Sequence, residues 1–290
     1  MKIEDVKKVV VIGSGNMGRQ IALNTAKYGF NVTVNDINSD ALAAAQGWVD
    51  TYLAGRIAKG KMTQEAVDAA KARLTFDGDI AHAVADADVV IEAAIENVEI
   101  KRKLFAQLDE LCPEKTILAT NSSSIGSSKM ASATKRPDRV CNMHYFNPAM
   151  VMELIEVVRN PDTSDETVET IMALSRATGK TPILLQKEIH SFVVSRLMDG
   201  CFKEAFYLVD QGIATIEEID IAAEKGLGYP MGPFRLLDQI GIDVSYNVRK
   251  LHYEETGNEA DKPSHFLEEK VKEGKLGRKT GEGFYKYEKK

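Results

Sequence analysis

A chain of 290 residues with 44% hydrophobic content and a formal net charge of −6 has enough apolar sequence for about two globular domains. The acidic balance excludes attraction to nucleic acid or to an anionic membrane by bulk electrostatics; either would need a local basic patch, and none stands out. Three widely spaced cysteines, Cys112, Cys141 and Cys201, with no CxxC pair, argue against a disulfide framework or a zinc site, and the five histidines show no metal-ligand spacing.

The opening stretch MKIEDVKKVVVIGSG passes from charged residues into an apolar run, with neither a signal-peptide pattern nor an apolar span of about 20 residues. A cytoplasmic location is expected. The run Val9 to Ile12 is of strand length and leads directly into GSGNMG. Gly13, Gly15 and Gly18 therefore fall where a strand turns into a helix beginning near Asn16. Gly13 permits the tight turn, Gly15 lets a diphosphate approach the backbone, and Gly18 lets helix and strand pack closely. Ser14, Asn16 and Met17 share that turn, where free N–H groups and the positive end of the helix dipole favour an anion. The next run, Val32 to Val34, ends at Asp36, eighteen residues after Gly18. A carboxylate there suits the two ribose hydroxyls of an adenosine and repels a 2′-phosphate, so NAD is expected rather than NADP. The plainer reading is a glycine turn with a solvated aspartate.

Further along, the run Val89 to Ile91 is followed by Glu96 and Asn97, and Ile117 to Ala119 by Asn121, Ser122, Ser123 and Ser124. Ligands in open α/β sheets sit outside the carboxyl ends of strands, which makes these polar clusters parts of one site. The serine run is not a nucleophile elbow, because GxSxG is absent. Val140 to Met143 leads into HYFNPAMVMELIE. There HYF closes a strand, Asn147-Pro148 makes a turn, and Leu154 to Val158 forms the next strand, a path that returns Glu156 to the side of His144. An imidazole, a carboxylate and an amide are the groups a proton-transfer site on an alcohol needs. The same pair also reads as a structural histidine satisfied by a glutamate.

A last strand run, Ile183 to Leu185, precedes a change of pattern. From Ser191, apolar residues recur at helical spacing, and further helical stretches lie near Ile216 to Glu224, Pro233 to Asp238 and Phe266 to Glu273. Strand–helix alternation with near-continuous Val/Ile runs predicts an α/β domain with a mainly parallel sheet over residues 1–187; an all-α domain is expected over 188–290.

With GSGNMG, Asp36, EAAIEN, TNSSSI and HYFNP in place, the chain resembles the L-3-hydroxyacyl-CoA dehydrogenases, the bacterial 3-hydroxybutyryl-CoA dehydrogenases in particular. Two long C-terminal stretches, GLGYPMGPFRLLDQIGID and LGRKTGEGFYKY, carry the resemblance to the end of the chain. The resemblance implies a Rossmann-like domain followed by a helical domain through which two subunits form a homodimer, with NAD as cofactor and an acyl-CoA as substrate. His144 matches the catalytic base and Glu156 its partner carboxylate. Ser123 matches a serine near the reacting carbons, and Asn147 an asparagine of the same pocket. Glu96, Lys101 and Lys279 match cofactor-contacting positions. Lys59 matches a lysine that approaches the nucleotide part of coenzyme A, with Arg56 and Lys61 beside it as phosphate partners by charge; a solvated helix end is the plainer reading of that cluster.

The chain departs from the family pattern at one important place. PGFVVNR is replaced by HSFVVSR, so His190-Ser191 stands for Pro-Gly and Ser195 for the pocket asparagine. Serine reaches less far than asparagine, while Ser191 is itself a competent N-cap for the helix that follows. Glu153 and Arg235 also differ in sign from the usual residues. The implied reaction is reversible oxidation of a short 3-hydroxyacyl-CoA, such as 3-hydroxybutyryl-CoA, to the 3-oxoacyl-CoA. A sugar-acid dehydrogenase of the gulonate-oxidising type and a non-enzymatic NAD-binding or structural relative are the competing readings.

Overall fold

The computed structural model describes residues 1–288, so the last two residues of the 188–290 span lie outside the described residues. It divides into two compact units, one of Met1–Val193 and one from Val194 on.

In the first unit β1 (Lys8–Ile12), α1 (Asn16–Lys27), β2 (Asn31–Asn35), α2 (Ser39–Ala58), α3 (Gln64–Lys71), β3 (Leu74–Asp77) and α4 (Ile80–Val84) come first. They are followed by β4 (Val89–Glu92), α5 (Val98–Leu111), β5 (Ile117–Thr120), α6 (Ser128–Ala131), β6 (Val140–Tyr145), β7 (Leu154–Arg159), α7 (Asp165–Ala177) and β8 (Thr181–Leu185). The eight strands form one sheet in the order β3-β2-β1-β4-β5-β6-β7-β8. All neighbours are parallel except β6 and β7.

Alternate residues of β1 explain why its sequence is apolar throughout. Val9 and Val11 join a core with Ile21, Ile91 and Ile171 on one face; Val10 and Ile12 join Phe105, Leu108 and Met130 on the other. Burying a side chain of this size contributes about 1.5–3 kcal/mol, so both faces drive the sheet's formation. Strand order reverses between β1 and β4, and a crevice for ligands belongs at the carboxyl ends of strands there.

β3 is a strand that the residue pattern does not reveal. Its sequence LTFD is only partly buried and pairs on one side alone, with β2, so it lacks the continuous Val/Ile signature of the inner strands.

The second unit is helical, and the first helix of its series begins at its border: α8 (Phe192–Asp210), α9 (Ile216–Gly226), α10 (Pro233–Ile240), α11 (Ile242–Thr256) and α12 (His265–Lys272). α11 is the helix that sequence periodicity misses; its apolar residues Val244, Val248 and Leu251 are exposed. Phe202, Phe206, Phe234, Leu237 and Leu267 make the core. Two buried aspartates fasten it. Asp220 accepts from Phe234 N–H at 2.9 Å and from the Tyr285 hydroxyl at 2.9 Å, and Asp238 accepts from Phe284 and Tyr285 N–H, each at 2.9 Å. A Cβ at Gly232 or Gly283 would overlap these carboxylates, which accounts for the glycines in GPF and GEGF.

Candidate active site

The glycine turn has the geometry a dinucleotide phosphate requires. Gly13 has φ +99°, and a Cβ there would stand 2.6 Å from the Ala93 carbonyl at the end of β4; a Cβ at Gly18 would overlap the Gly13 carbonyl. A Cβ at Gly15, by contrast, would meet nothing, which leaves open space in front of the first turn of α1. No side chain caps that turn, so its N–H groups face the opening. Ser14 is buried, and its N–H and hydroxyl both donate to Asp36 at 2.8 Å. Burial works to raise the Asp36 pKa. Hydrogen bonds from Ser14 and from Asn38 N–H outweigh it, and the carboxyl is held below the ordinary aspartate range. Met17 packs against the core under the turn. The arrangement fits NAD: a phosphate cradle beside an ionised ribose partner.

Beyond β4 and β5 the polar clusters meet through a residue that motif reading overlooks. Glu92, fully buried, accepts from Ala94 N–H at 2.7 Å, from the Thr120 hydroxyl at 2.6 Å and from Lys101 Nζ at 2.6 Å. Lys101 is 1% exposed, and its ammonium also lies 3.2 Å from Glu96. Glu96 in turn accepts from the hydroxyls of Ser122 and Ser124. Burial raises the Glu96 pKa, but these hydroxyls and Lys101 prevail and lower it. Ser122 and Ser124 are thus tied down while Ser123 between them is exposed. A charge at the end of the apolar run VVIE was the available signal for Glu92, since it costs too much there without a cationic partner.

His144 and Glu156 stand directly opposite each other in the antiparallel β6–β7 pair, and His144 Nδ1 lies 2.9 Å from Glu156 Oε2. A carboxylate can only accept, so Nδ1 carries the proton and Nε2 is the nitrogen that can exchange one with a ligand. Phe146 and Phe192 flank the ring, with centroids at 4.7 and 5.6 Å. The other Glu156 oxygen, Oε1, accepts from Val193 N–H at 3.0 Å.

That bond corrects the expectation for Ser191. An N-cap residue takes extended backbone angles, whereas Ser191 and Phe192 have φ of 64° and 50°. The start of α8 is served instead by Glu156.

Asn147, exposed and joined to Pro148 by a cis bond, accepts at its side-chain Oδ1 from Asn16 Nδ2 at 3.1 Å, which joins the β6–β7 turn to the start of α1. Asn121 Oδ1 accepts from Tyr145 N–H at 2.9 Å and ties the serine loop to the same strand end. The glycine turn, Asp36, Glu96, Ser123, His144, Asn147 and Glu156 accordingly share the edge where β1, β2, β4, β5 and β6 end and β7 begins.

Lys59 closes α2 and is exposed, as is Lys61; Arg56 lies over the Tyr52 ring at 5.9 Å. Ser195 sits in α8 and Lys279 near the C-terminus, both within the second unit, where Lys279 pairs with Asp243. Among the described residues no cluster of His, Cys, Asp and Glu could hold a metal ion. A separate groove of about 560 Å³, lined by Lys8, Thr33, Thr75, Asp77, His82 and Asp88 among others, contains none of the predicted site residues.

Comparison with known proteins agrees with this geometry. Residues 8–189 match the family model of the 3-hydroxyacyl-CoA dehydrogenase NAD binding domain, and residues 192–287 match that of the 3-hydroxyacyl-CoA dehydrogenase C-terminal domain. The mitochondrial hydroxyacyl-coenzyme A dehydrogenase of Homo sapiens is 40% identical over 97% of this chain and 91% of its own. A probable 3-hydroxybutyryl-CoA dehydrogenase of Bacillus subtilis is 38% identical over 99% of each chain. Among solved structures, the (S)-3-hydroxybutyryl-CoA dehydrogenase PaaH1 from Ralstonia eutropha superposes with a TM-score of 0.90 at 38% identity, covering 98% of this chain and 100% of that one.

Proposed function

Since the chain belongs to the 3-hydroxyacyl-CoA dehydrogenase family and is an NAD-dependent oxidoreductase acting on a CH–OH group, we propose that its edge-of-sheet site interconverts 3-hydroxybutyryl-CoA and acetoacetyl-CoA. The observation that carries this reading is the His144–Glu156 pair, set beside Asn147 at the mouth of the glycine turn.

NAD, when bound, supplies the acceptor for the hydride that leaves C3. His144 Nε2 takes the C3 hydroxyl proton in that direction and returns it to the oxygen in the other, while Nδ1 stays on Glu156. Glu156 holds the ring's orientation and tautomer. Ser123 and the Asn147 amide orient the C3 oxygen and the nicotinamide end of the cofactor, and Phe146 and Phe192 keep water from the ring. Ser14, Gly15, Asn16, Met17 and Gly18 receive the diphosphate, Asp36 the adenosine ribose, and Glu96, with Lys101 behind it, the other ribose. Lys279 is a further cofactor residue and Ser195 a further pocket residue by resemblance. Arg56, Lys59 and Lys61 take the phosphates of coenzyme A. The thioester is left intact, so no nucleophile is required.

The second unit is the dimerisation surface in this reading, supported by exposed Leu197, Tyr207, Val244, Val248 and Leu251. No helix among the described residues is long and apolar enough to cross a membrane, and the three free cysteines suit a reducing cytoplasm. The test follows NADH oxidation with acetoacetyl-CoA against free 3-oxo acids: turnover of the thioester alone supports the reading, and turnover of the free acids alone contradicts it.

A further inference from the structure

The mechanism above makes no use of Lys180, although it is one of the most buried charges in the first unit, at 8% exposure. Among the described residues no carboxylate comes within 4 Å of its ammonium. Nζ donates instead to two backbone carbonyls, Ala149 at 2.6 Å and Met152 at 2.8 Å. An apolar side chain of the same length would fill this space without the cost of desolvating a charge, so the charge is retained for what it holds.

Those two carbonyls belong to the turn that joins β6 to β7, the turn that begins at Asn147. It is tightly wound, with Val151 and Met152 N–H both donating to the Pro148 carbonyl at 2.9 Å. The winding points the Ala149 and Met152 carbonyls toward one spot, which the ammonium occupies. On its other side Lys180 sits in the corner between α7 and β8, and that corner is bound to the cofactor helix: Asn24 in α1 donates to the Thr178 carbonyl at 3.0 Å. The turn is bound to α1 as well, through Asn147 with Asn16 and, at 3.4 Å, through Met150 N–H to Gln20. Thr181 N–H to the Glu153 carbonyl, at 2.8 Å, closes the ring of contacts.

We propose that Lys180 is a positioning residue for the reaction: by holding the Ala149 and Met152 carbonyls it sets where Asn147 stands relative to His144 and the start of α1. The proposal rests on the reading of His144 and Asn147 as the reaction pocket. It also gives the site a sensitivity to alkaline pH. Burial, and secondarily the like charge of Lys27 at the end of α1, lower the Lys180 pKa, with Glu153 beside the turn opposing them. Tyr28, against Gly179, the buried Tyr145, whose hydroxyl meets Thr178, and the exposed Arg176 at the end of α7 are further ionisable neighbours of the corner. An ammonium whose pKa is lowered releases its proton, and with it the turn, at lower pH than an ordinary lysine.

The experiment compares K180M and K180R with the native enzyme, using acetoacetyl-CoA and NADH across the pH range. K180M, shown to be folded by its melting curve, is expected to lose about tenfold or more in kcat while NADH affinity stays within about twofold, because a displacement of about 1 Å in the pocket is costly and the glycine turn is untouched. K180R, which stays charged, recovers part of the rate and moves the alkaline limb of the kcat profile to higher pH than the native enzyme's. Native kcat in K180M, or equal losses in kcat and NADH affinity, overturns the proposal. Should K180M fail to fold, amide exchange in the native protein decides. Val151 and Met152 are expected to lose protection at alkaline pH, after correction for intrinsic rates, while the β6–β7 ladder keeps it. Unchanged protection overturns the proposal. A native enzyme that does not turn over acetoacetyl-CoA contradicts the substrate reading, and the exchange measurement still reports whether Lys180 holds the turn.

Discussion

Glu156 serves two partners at once, His144 Nδ1 through one oxygen and Val193 N–H through the other, so a single buried carboxylate orients the base and caps the start of α8. Glu156→Gln keeps the shape but can present a donor where an acceptor is needed. Loss of turnover together with a stability loss of about 1–3 kcal/mol is expected from this double role. Urea unfolding and steady-state rates on the same sample check it; a variant that loses rate alone would leave the Val193 bond without energetic weight.

His144→Gln removes the proton-transfer group and leaves the glycine turn and Asp36 intact. A fall in kcat of about 10²–10⁴ is expected, with NADH binding retained. Stopped-flow single turnover and NADH fluorescence titration separate the two effects.

The pairing of His144 with Glu156 was legible in the sequence because Asn-Pro marks a turn and the runs on either side are strands; an antiparallel return then fixes which residues meet. The glycine turn was legible for a similar reason, its three glycines each answering a steric demand of the backbone. What escaped is equally specific. β3 carries two polar residues in four and borders one neighbour, so nothing in LTFD distinguishes it from a loop. Glu92 reads as the polar end of a strand until Lys101, in the first turn of α5, is seen beside it. Ser191 reads as a helix cap because serine favours that place, but the chain there must turn with positive φ, a demand that composition does not advertise.

That turn yields a stability prediction. Ser191 at φ 64° occupies the left-handed region, where the family's usual residue is glycine. Ser191→Gly should therefore stabilise the protein by about 1 kcal/mol in urea unfolding. A destabilised variant would mean that the hydroxyl makes a contact worth more than the backbone strain.

Ser195→Asn, at the other departure from the family pattern, is expected to raise kcat/KM for acetoacetyl-CoA severalfold on the proposal that position 195 serves the reaction pocket, because an asparagine amide reaches farther than a serine hydroxyl. An unchanged value would show that Ser195 has no part in the pocket.

The pH response of cofactor binding follows from Asp36. Its folded pKa is lowered, so its charge is present at and above the ordinary aspartate range and is lost only as pH falls below that range. NADH affinity should hold through mildly acidic pH and decline only further down, and Asp36→Asn should weaken NADH while narrowing its advantage over NADPH. Fluorescence titrations with both cofactors at a series of pH values measure this.

The central claim is that His144 Nε2 handles the proton of the C3 oxygen. A crystal structure of the enzyme with NAD and acetoacetyl-CoA bound together tests it most directly. Nε2 is predicted to lie within about 2.6–3.2 Å of that oxygen, with Nδ1 still on Glu156. An imidazole turned away from it, with another side chain in its place, would contradict the account.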